Sequence, residues 1–182
     1  MITAKHIVSG LLIGAFCVTT LPVFADSKKV CSPVGTYGYV YDGTSYTQLG
    51  PVPLTETGYF RITRKGHLTG EGTLAFYFSD FGGQGPVWLL IHEEQYDGMV
   101  SPDVGDTCTG TVEFKATGTV IKSSNEDVVS VGTVFFTDSD RSIAYTLSGR
   151  SKDNMDIVST SPGTIASGNA RIIPQARHHS ED

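Results

Sequence analysis

The stretch CTGTVEFKATGTVI, from Cys108 to Ile121, decides the fold class. Small or apolar residues alternate with polar ones along it, which is the period of a β-strand with one buried face. The residues predicted to point inward are Val112, Phe114, Ala116, Gly118 and Val120. The segment therefore predicts a long strand with one side in a core and the other in solvent.

Similar short runs recur after residue 25, separated by Gly, Pro, Asp and Asn, and none of them shows a helical apolar stripe. The predicted strands are 35–42, 57–63, 68–79, 87–96, 108–121, 127–137, 143–150, 155–160 and 164–173. Residues 50–53 (GPVP) predict a loop, and 138–140 (DSD) predict a polar turn between two strands. Gly66 supplies the positive φ of a tight hairpin.

Eight or nine antiparallel strands predict an all-β protein with a single closed barrel, because closure removes the two sheet edges that are prone to association. Glycines inside strands suit the bends of a barrel wall; they are Gly70, Gly72, Gly110, Gly118 and Gly132. An eight-stranded barrel encloses a space that side chains fill or that holds one small ligand. A two-sheet β-sandwich is the alternative architecture.

Composition and the first residues predict an exported domain. Of 182 residues, 39% are apolar and 10% aromatic, so the chain is not disordered, and a net charge of -6 argues against nucleic-acid binding. Lys5, the apolar run 7–18 and the small residue Ala25 predict a signal peptide cleaved before Asp26, too short to span a membrane. The predicted organisation is signal peptide 1–25, β-barrel domain 26–173 and polar tail 174–182. The protein is predicted to be secreted or periplasmic, and the sequence does not predict its oligomeric state.

Cys17 leaves with the signal peptide, and Cys31 and Cys108 remain. In an oxidising compartment this pair most simply forms one disulfide, closing a loop of about 78 residues. Two free thiols or a shared metal are the alternatives.

Residues 96–103 (YDGMVSPD) and 108–112 (CTGTV) resemble a GxYxVxPDCTGT signature of small exported bacterial proteins, which generally lack an assigned activity. Further matches to the same pattern are Cys31 with residues 35–37, residues 66–70 and residues 162–168. Residues 104–107 are an insertion relative to the pattern. The resemblance implies a secreted β-domain with its first and central cysteines paired. The expected barrel is similar in strand number and size to lipocalin-like and allene-oxide-cyclase-like folds.

The strand 87–96 holds the candidate catalytic residues. Alternation places four side chains on one face: Trp88, His92, Glu94 and Tyr96. If that face lines a cavity, His92, Glu94 and Tyr96 would handle protons. In the opposite arrangement it faces solvent, Leu89 and Ile91 form the core, and Glu93 marks where the strand leaves the core.

The candidate ligand-binding residues are aromatic: Tyr37, Tyr39, Tyr41, Phe76, Phe78 and Trp88. The tyrosines would form a stacking ladder in the barrel, although aromatic residues also serve as ordinary strand formers. The acidic residues Asp97, Asp103 and Asp106 lack calcium-loop spacing, and His178 and His179 lie on a polar tail, so no metal or cofactor is predicted.

Three functions follow as expectations. The first is binding of a small apolar or aromatic molecule inside the barrel. The alternative is a cofactor-independent cyclase or isomerase of a natural-product pathway. The third is a secreted interaction module without a cavity. The sequence carries no nucleophile elbow, phosphate-binding loop or zinc-protease motif.

Overall fold

The computed structural model describes residues 31–105, 107–149 and 153–174. The predicted signal peptide, Asp106, His178 and His179 lie outside these ranges. Within them the chain forms eight strands: β1 (Gly35–Thr47), β2 (Gly50–Ile62), β3 (His67–Phe78), β4 (Val87–Pro102), β5 (Thr109–Ser123), β6 (Val134–Ser148), β7 (Asn154–Ser159) and β8 (Thr164–Ile172). No helix in the described ranges is long and apolar enough to cross a membrane.

Every strand pairs antiparallel with the next one, and β1 also pairs with β8, so the sheet closes on itself. The closing ladder runs from the pair Tyr37–Ile172 to the pair Ser45–Thr164. The prediction of one all-β barrel is confirmed, and the sandwich alternative is wrong. Because the barrel is closed, the parity of each residue along its strand decides whether it points inward.

One half of the barrel is filled by large buried side chains and carries the disulfide. Tyr37, Ile62 and Met155 are almost completely buried there. At the same end Cys31 and Cys108 are bonded, with an S–S distance of 2.03 Å and a Cα–Cα distance of 4.8 Å. The predicted pairing is confirmed, and it ties the segment before β1 to the connection between β4 and β5.

The predicted loop 50–53 is wrong, because these residues are the first part of β2. Pro51 and Pro53 are exposed, while Val52 points into the core. In this stretch β2 pairs only with β1, since its pairing with β3 begins at Leu54. A proline lacks a backbone N–H and is tolerated on such an unpaired edge.

The predicted turn 138–140 is also wrong, because β6 runs through it without a break. Asp138 has a φ of 48°, and the register with β5 shifts near Gly118. A bulge of this kind bends a strand and leaves it continuous. The predicted strand 127–137 is instead mostly the connection that precedes Val134.

Removing the disulfide with the double substitution Cys31→Ser and Cys108→Ser is expected to lower the free energy of unfolding. A closed loop of this length contributes roughly 4.5 kcal/mol in the chain-entropy model. Urea denaturation of the oxidised protein and of the double variant measures the loss. Reduction of the unsubstituted protein should produce a similar loss, and equal stability of all three forms would contradict the prediction.

Candidate functional site

The other half of the barrel contains a cavity of about 160 Å³. Aromatic side chains form much of its wall: Tyr39, Tyr41, Phe60, Phe76, Phe78, Phe114, Phe135 and Phe136. Hydroxyl groups line another part: Ser45, Thr47, Ser139, Ser159, Ser161 and Thr164. This part of the wall lies near the end of the short strand β7. Beyond that point β6 has no pairing with β7. The cavity therefore has an apolar wall and a polar wall.

Four of the predicted ligand-binding residues line this cavity: Tyr39, Tyr41, Phe76 and Phe78. Tyr37 is buried in the packed half, where its ring stacks on Phe60 with centroids 5.5 Å apart. Tyr37 is not among the residues that line the cavity, so the prediction that it lines the ligand space is wrong.

The predicted catalytic face lies on the outside of the barrel. Trp88 is 38% exposed, stands across from Tyr77 and has the Lys122 ammonium 5.4 Å from its ring centroid. Glu94 is exposed, and the Tyr96 hydroxyl donates to Asp138 over 2.5 Å.

His92 shares that outer face with them, since it has the same parity on β4. Trp88, His92, Glu94 and Tyr96 therefore point away from the interior. The arrangement in which this face lines a cavity is wrong, and the alternative in which it faces solvent is the one observed. The opposite face, with Leu89 and Ile91, is the core.

A cluster of five polar side chains forms one end of the cavity: Tyr39 on β1, Glu56 on β2, Glu93 and Gln95 on β4, and Arg141 on β6. The Tyr39 hydroxyl donates to Glu56 Oε1. Gln95 Nε2 lies 2.8 Å from the Tyr39 oxygen, 3.3 Å from Glu56 Oε1 and 3.1 Å from Glu93 Oε1. Arg141 Nη2 lies 3.6 Å from Glu93 Oε2. One amide thus links two buried carboxyl groups, and one guanidinium is paired with Glu93.

Glycines on β3 make room for this cluster. A Cβ atom at Gly72 would lie 2.5 Å from the Tyr39 hydroxyl oxygen and 3.0 Å from Glu56 Oε1. A Cβ atom at Gly70 would lie 2.7 Å from Gln95 Oε1. These in-strand glycines, which the sequence indicates as barrel-wall positions, therefore shape the interior as well.

Burial changes the acidity of the cluster. Burial, and after it the nearby Glu93 carboxyl, raise the pKa of Glu56 to about 8. Burial also raises the pKa of Glu93, while Arg141 acts in the opposite direction. Burial and the Glu56 carboxyl raise the pKa of the Tyr39 hydroxyl, which keeps it a hydrogen-bond donor. At neutral pH we therefore assign the proton to Glu56, while Glu93 is the carboxyl group that lies beside the Arg141 guanidinium.

Two polar atoms of the cluster have no hydrogen-bond partner among the described residues: Glu93 Oε2 and Arg141 Nε. Glu93 is only 2% exposed, so this oxygen lies inside the barrel and not at its outer surface. Leaving a buried polar atom unpaired costs free energy. The end of the cavity therefore offers one acceptor and one donor to a bound molecule.

Sequence reasoning did not identify Glu56, Glu93, Gln95 and Arg141 as site residues. The signal was present, since Glu56 has the parity of Leu54 and Phe60, and Glu93 and Gln95 continue the parity of Ile91. Polar residues at inward positions of two strands predict a buried polar site once the inward face is known. The interpretation of Glu93 as the point where β4 leaves the core is wrong, because Val100 is again buried.

Comparison with family models, with curated proteins and with solved structures finds no match for this chain. The resemblance to exported bacterial proteins stays a prediction.

The free energy of unfolding is expected to fall as the pH rises from about 4.5 to about 8. Glu56 has an ordinary pKa of 4.5 and a folded pKa of about 8, so over this window the folded chain holds a proton that the unfolded chain has lost. Glu56→Gln removes this titrating group. The decrease in the free energy of unfolding between pH 4.5 and pH 8 should therefore become smaller by a few kcal/mol. Urea denaturation at a series of pH values measures it.

Glu94→Gln, on the outer face of the same barrel, is the matched control and should keep the slope of the unsubstituted protein. A Glu56→Gln profile parallel to that of the unsubstituted protein would contradict the raised pKa.

Gly72→Ala is expected to destabilise the barrel by about 1–3 kcal/mol, because the new methyl group overlaps the Tyr39 hydroxyl. Gly38→Ala is the control on β1, where the nearest heavy atom is the end of the Ile173 side chain at 3.3 Å. Urea denaturation compares the two. Equal losses would mean that the space beside Tyr39 is not constrained.

Proposed function

We propose that this protein binds a small apolar or aromatic molecule inside its barrel. The observation that carries the proposal is the cavity of about 160 Å³ with its wall of phenylalanine and tyrosine rings. Phe76, Phe78 and Phe135 form one group of rings, with centroid distances between 6.0 and 6.3 Å. Apolar surface of this kind gains free energy when a ligand covers it.

The volume sets the size of the ligand. An apolar cavity of about 150 Å³ in another protein stays dry and binds benzene. A cavity of similar volume therefore fits a body of about one aromatic ring. The ring surfaces around Phe76 allow the offset and edge-to-face contacts that aromatic pairs prefer.

We also propose that the chain works outside the cytoplasm, with its signal peptide removed before Asp26. The disulfide between Cys31 and Cys108 supports this location, because such bonds persist in oxidising compartments. The first residues carry the signal-like pattern described above.

Binding is favoured over the two other expected functions by the contents of the cavity. The cyclase or isomerase was expected to use His92, Glu94 and Tyr96, which lie on the outer face. The interaction module was expected to have no cavity. Glu56 and Glu93 line the cavity, and their carboxyl groups suit the recognition of a ligand. Carboxyl groups are also able to transfer protons, but the expected enzyme did not depend on this pair.

The test uses toluene as the probe. At a free concentration ten times its Kd, toluene should add about 1.4 kcal/mol to the free energy of unfolding and raise the Tm accordingly. Ser45→Phe places a ring in the cavity and should abolish the shift, because Ser45 is one of the lining residues.

Thr44→Phe adds the same ring one position away, at a residue of the opposite parity that does not line the cavity, and should leave the shift intact. A Tm unaffected by toluene, benzene and indole alike would overturn the proposal.

A further inference from the structure

The polar end of the cavity holds more negative than positive groups. Two carboxyl groups, Glu56 and Glu93, face one guanidinium, Arg141. Arg141 is held by Glu93 Oε2 at 3.6 Å and by the ring of Phe136, whose centroid lies 4.8 Å from the guanidinium carbon. Buried charges are stable only when they are paired. The surplus carboxyl group therefore needs either a proton or a cation from outside the chain.

No other charged group among the described lining residues supplies that cation. The groups that face Glu56 are Tyr39 from β1, Glu93 and Gln95 from β4 and Arg141 from β6. From β3 the neighbour is Gly72, which has no side chain. The Glu93 oxygen Oε2, on a side chain 2% exposed, has no hydrogen-bond donor. A bound molecule with a positively charged hydrogen-bond donor would balance the charge of the two carboxyl groups and supply the donor that Glu93 Oε2 lacks.

We propose that the ligand carries a protonated amine on an apolar or aromatic body of about one ring, and that this ammonium group binds between Glu56 and Glu93. The inference rests on the proposed function, since it assigns the chemical class of the molecule in the same cavity. The aromatic wall is compatible with it, because ring faces attract cations. The net charge of -6 on the chain also raises the local concentration of cations.

Binding is coupled to the loss of one proton. In the empty barrel Glu56 is protonated at neutral pH, because burial raises its pKa to about 8. When the ammonium group enters, the O–H bond of the Glu56 carboxyl breaks, the proton goes to the buffer and the electron pair stays on the carboxylate. The ligand keeps all its protons, so the site exchanges one positive charge for another.

The experiment compares benzylamine with benzyl alcohol, which have the same shape and differ in charge. Calorimetry at pH 7, in two buffers of different ionisation enthalpy, gives the affinity and the number of protons released. Benzylamine should bind at least about tenfold more tightly, as expected for charge-assisted hydrogen bonds in a buried site. It should release close to one proton, and benzyl alcohol none. As the pH is raised towards 8, the affinity for benzylamine should increase by up to about tenfold for each pH unit, because binding releases a proton.

Two variants locate the effect. Glu56→Gln should bring the ratio of the two affinities towards one and abolish proton release. Glu94→Gln removes the same charge from the outer face of the barrel and should behave like the unsubstituted protein. Circular dichroism shows whether each variant is folded, and the proton count of the unsubstituted protein tests the inference without any variant.

Each remaining outcome has a definite meaning. If benzyl alcohol binds and benzylamine binds no more tightly, the amine inference is overturned and binding of apolar molecules stands. If benzylamine binds more tightly without proton release, and Glu56→Gln changes nothing, the assignment to this pair of carboxyl groups is overturned. If neither probe nor toluene binds, the proposed function fails as well.

Discussion

The pairing of β1 with β8 is the constraint on which the rest of the molecule depends. It converts a row of antiparallel strands into a cylinder and so gives every strand an inner and an outer face. One end is filled by large side chains and tied by the disulfide, which leaves the remaining space in the other half. Without closure, Glu56 and Glu93 would lie on an open sheet in contact with water, and neither their pKa values nor their partners would be unusual.

The polar cluster opposes the stability of the barrel that contains it. Two carboxyl groups in an apolar interior carry a desolvation cost, which the single pair between Glu93 and Arg141 offsets only in part. The amide of Gln95 bridges both carboxyl groups, and Gly72 leaves the space that they need. A hydrophobic residue at Glu56 would cost less free energy to bury. Charged groups retained at such a cost are typical of binding and catalytic sites.

Several elements of the fold were predictable from local pattern. Alternation identified the core face of β5 and divided β4 into two faces, while the Gly66 hairpin and the cysteine pair followed from local chemistry and redox context. The errors have a physical cause. Proline at 51 and 53 and the Asp-Ser-Asp run at 138–140 are typical of turns. Only the pairing of neighbouring strands shows that an unpaired stretch of β2 and a bulge in β6 accommodate them. Local propensity is overridden by tertiary pairing in such places.

By itself the sequence determined the class of fold, the disulfide and the presence of aromatic residues on inward faces, because these depend on periodicity and composition. The tertiary structure alone decided which charged residues are buried. Glu93 and Glu94 are neighbours of the same type, and one lies inside the barrel while the other is in solvent. Shifting a strand by one residue exchanges its two faces. Parity therefore divides the residues of a strand into two sets, and closure with its register determines which set becomes the site.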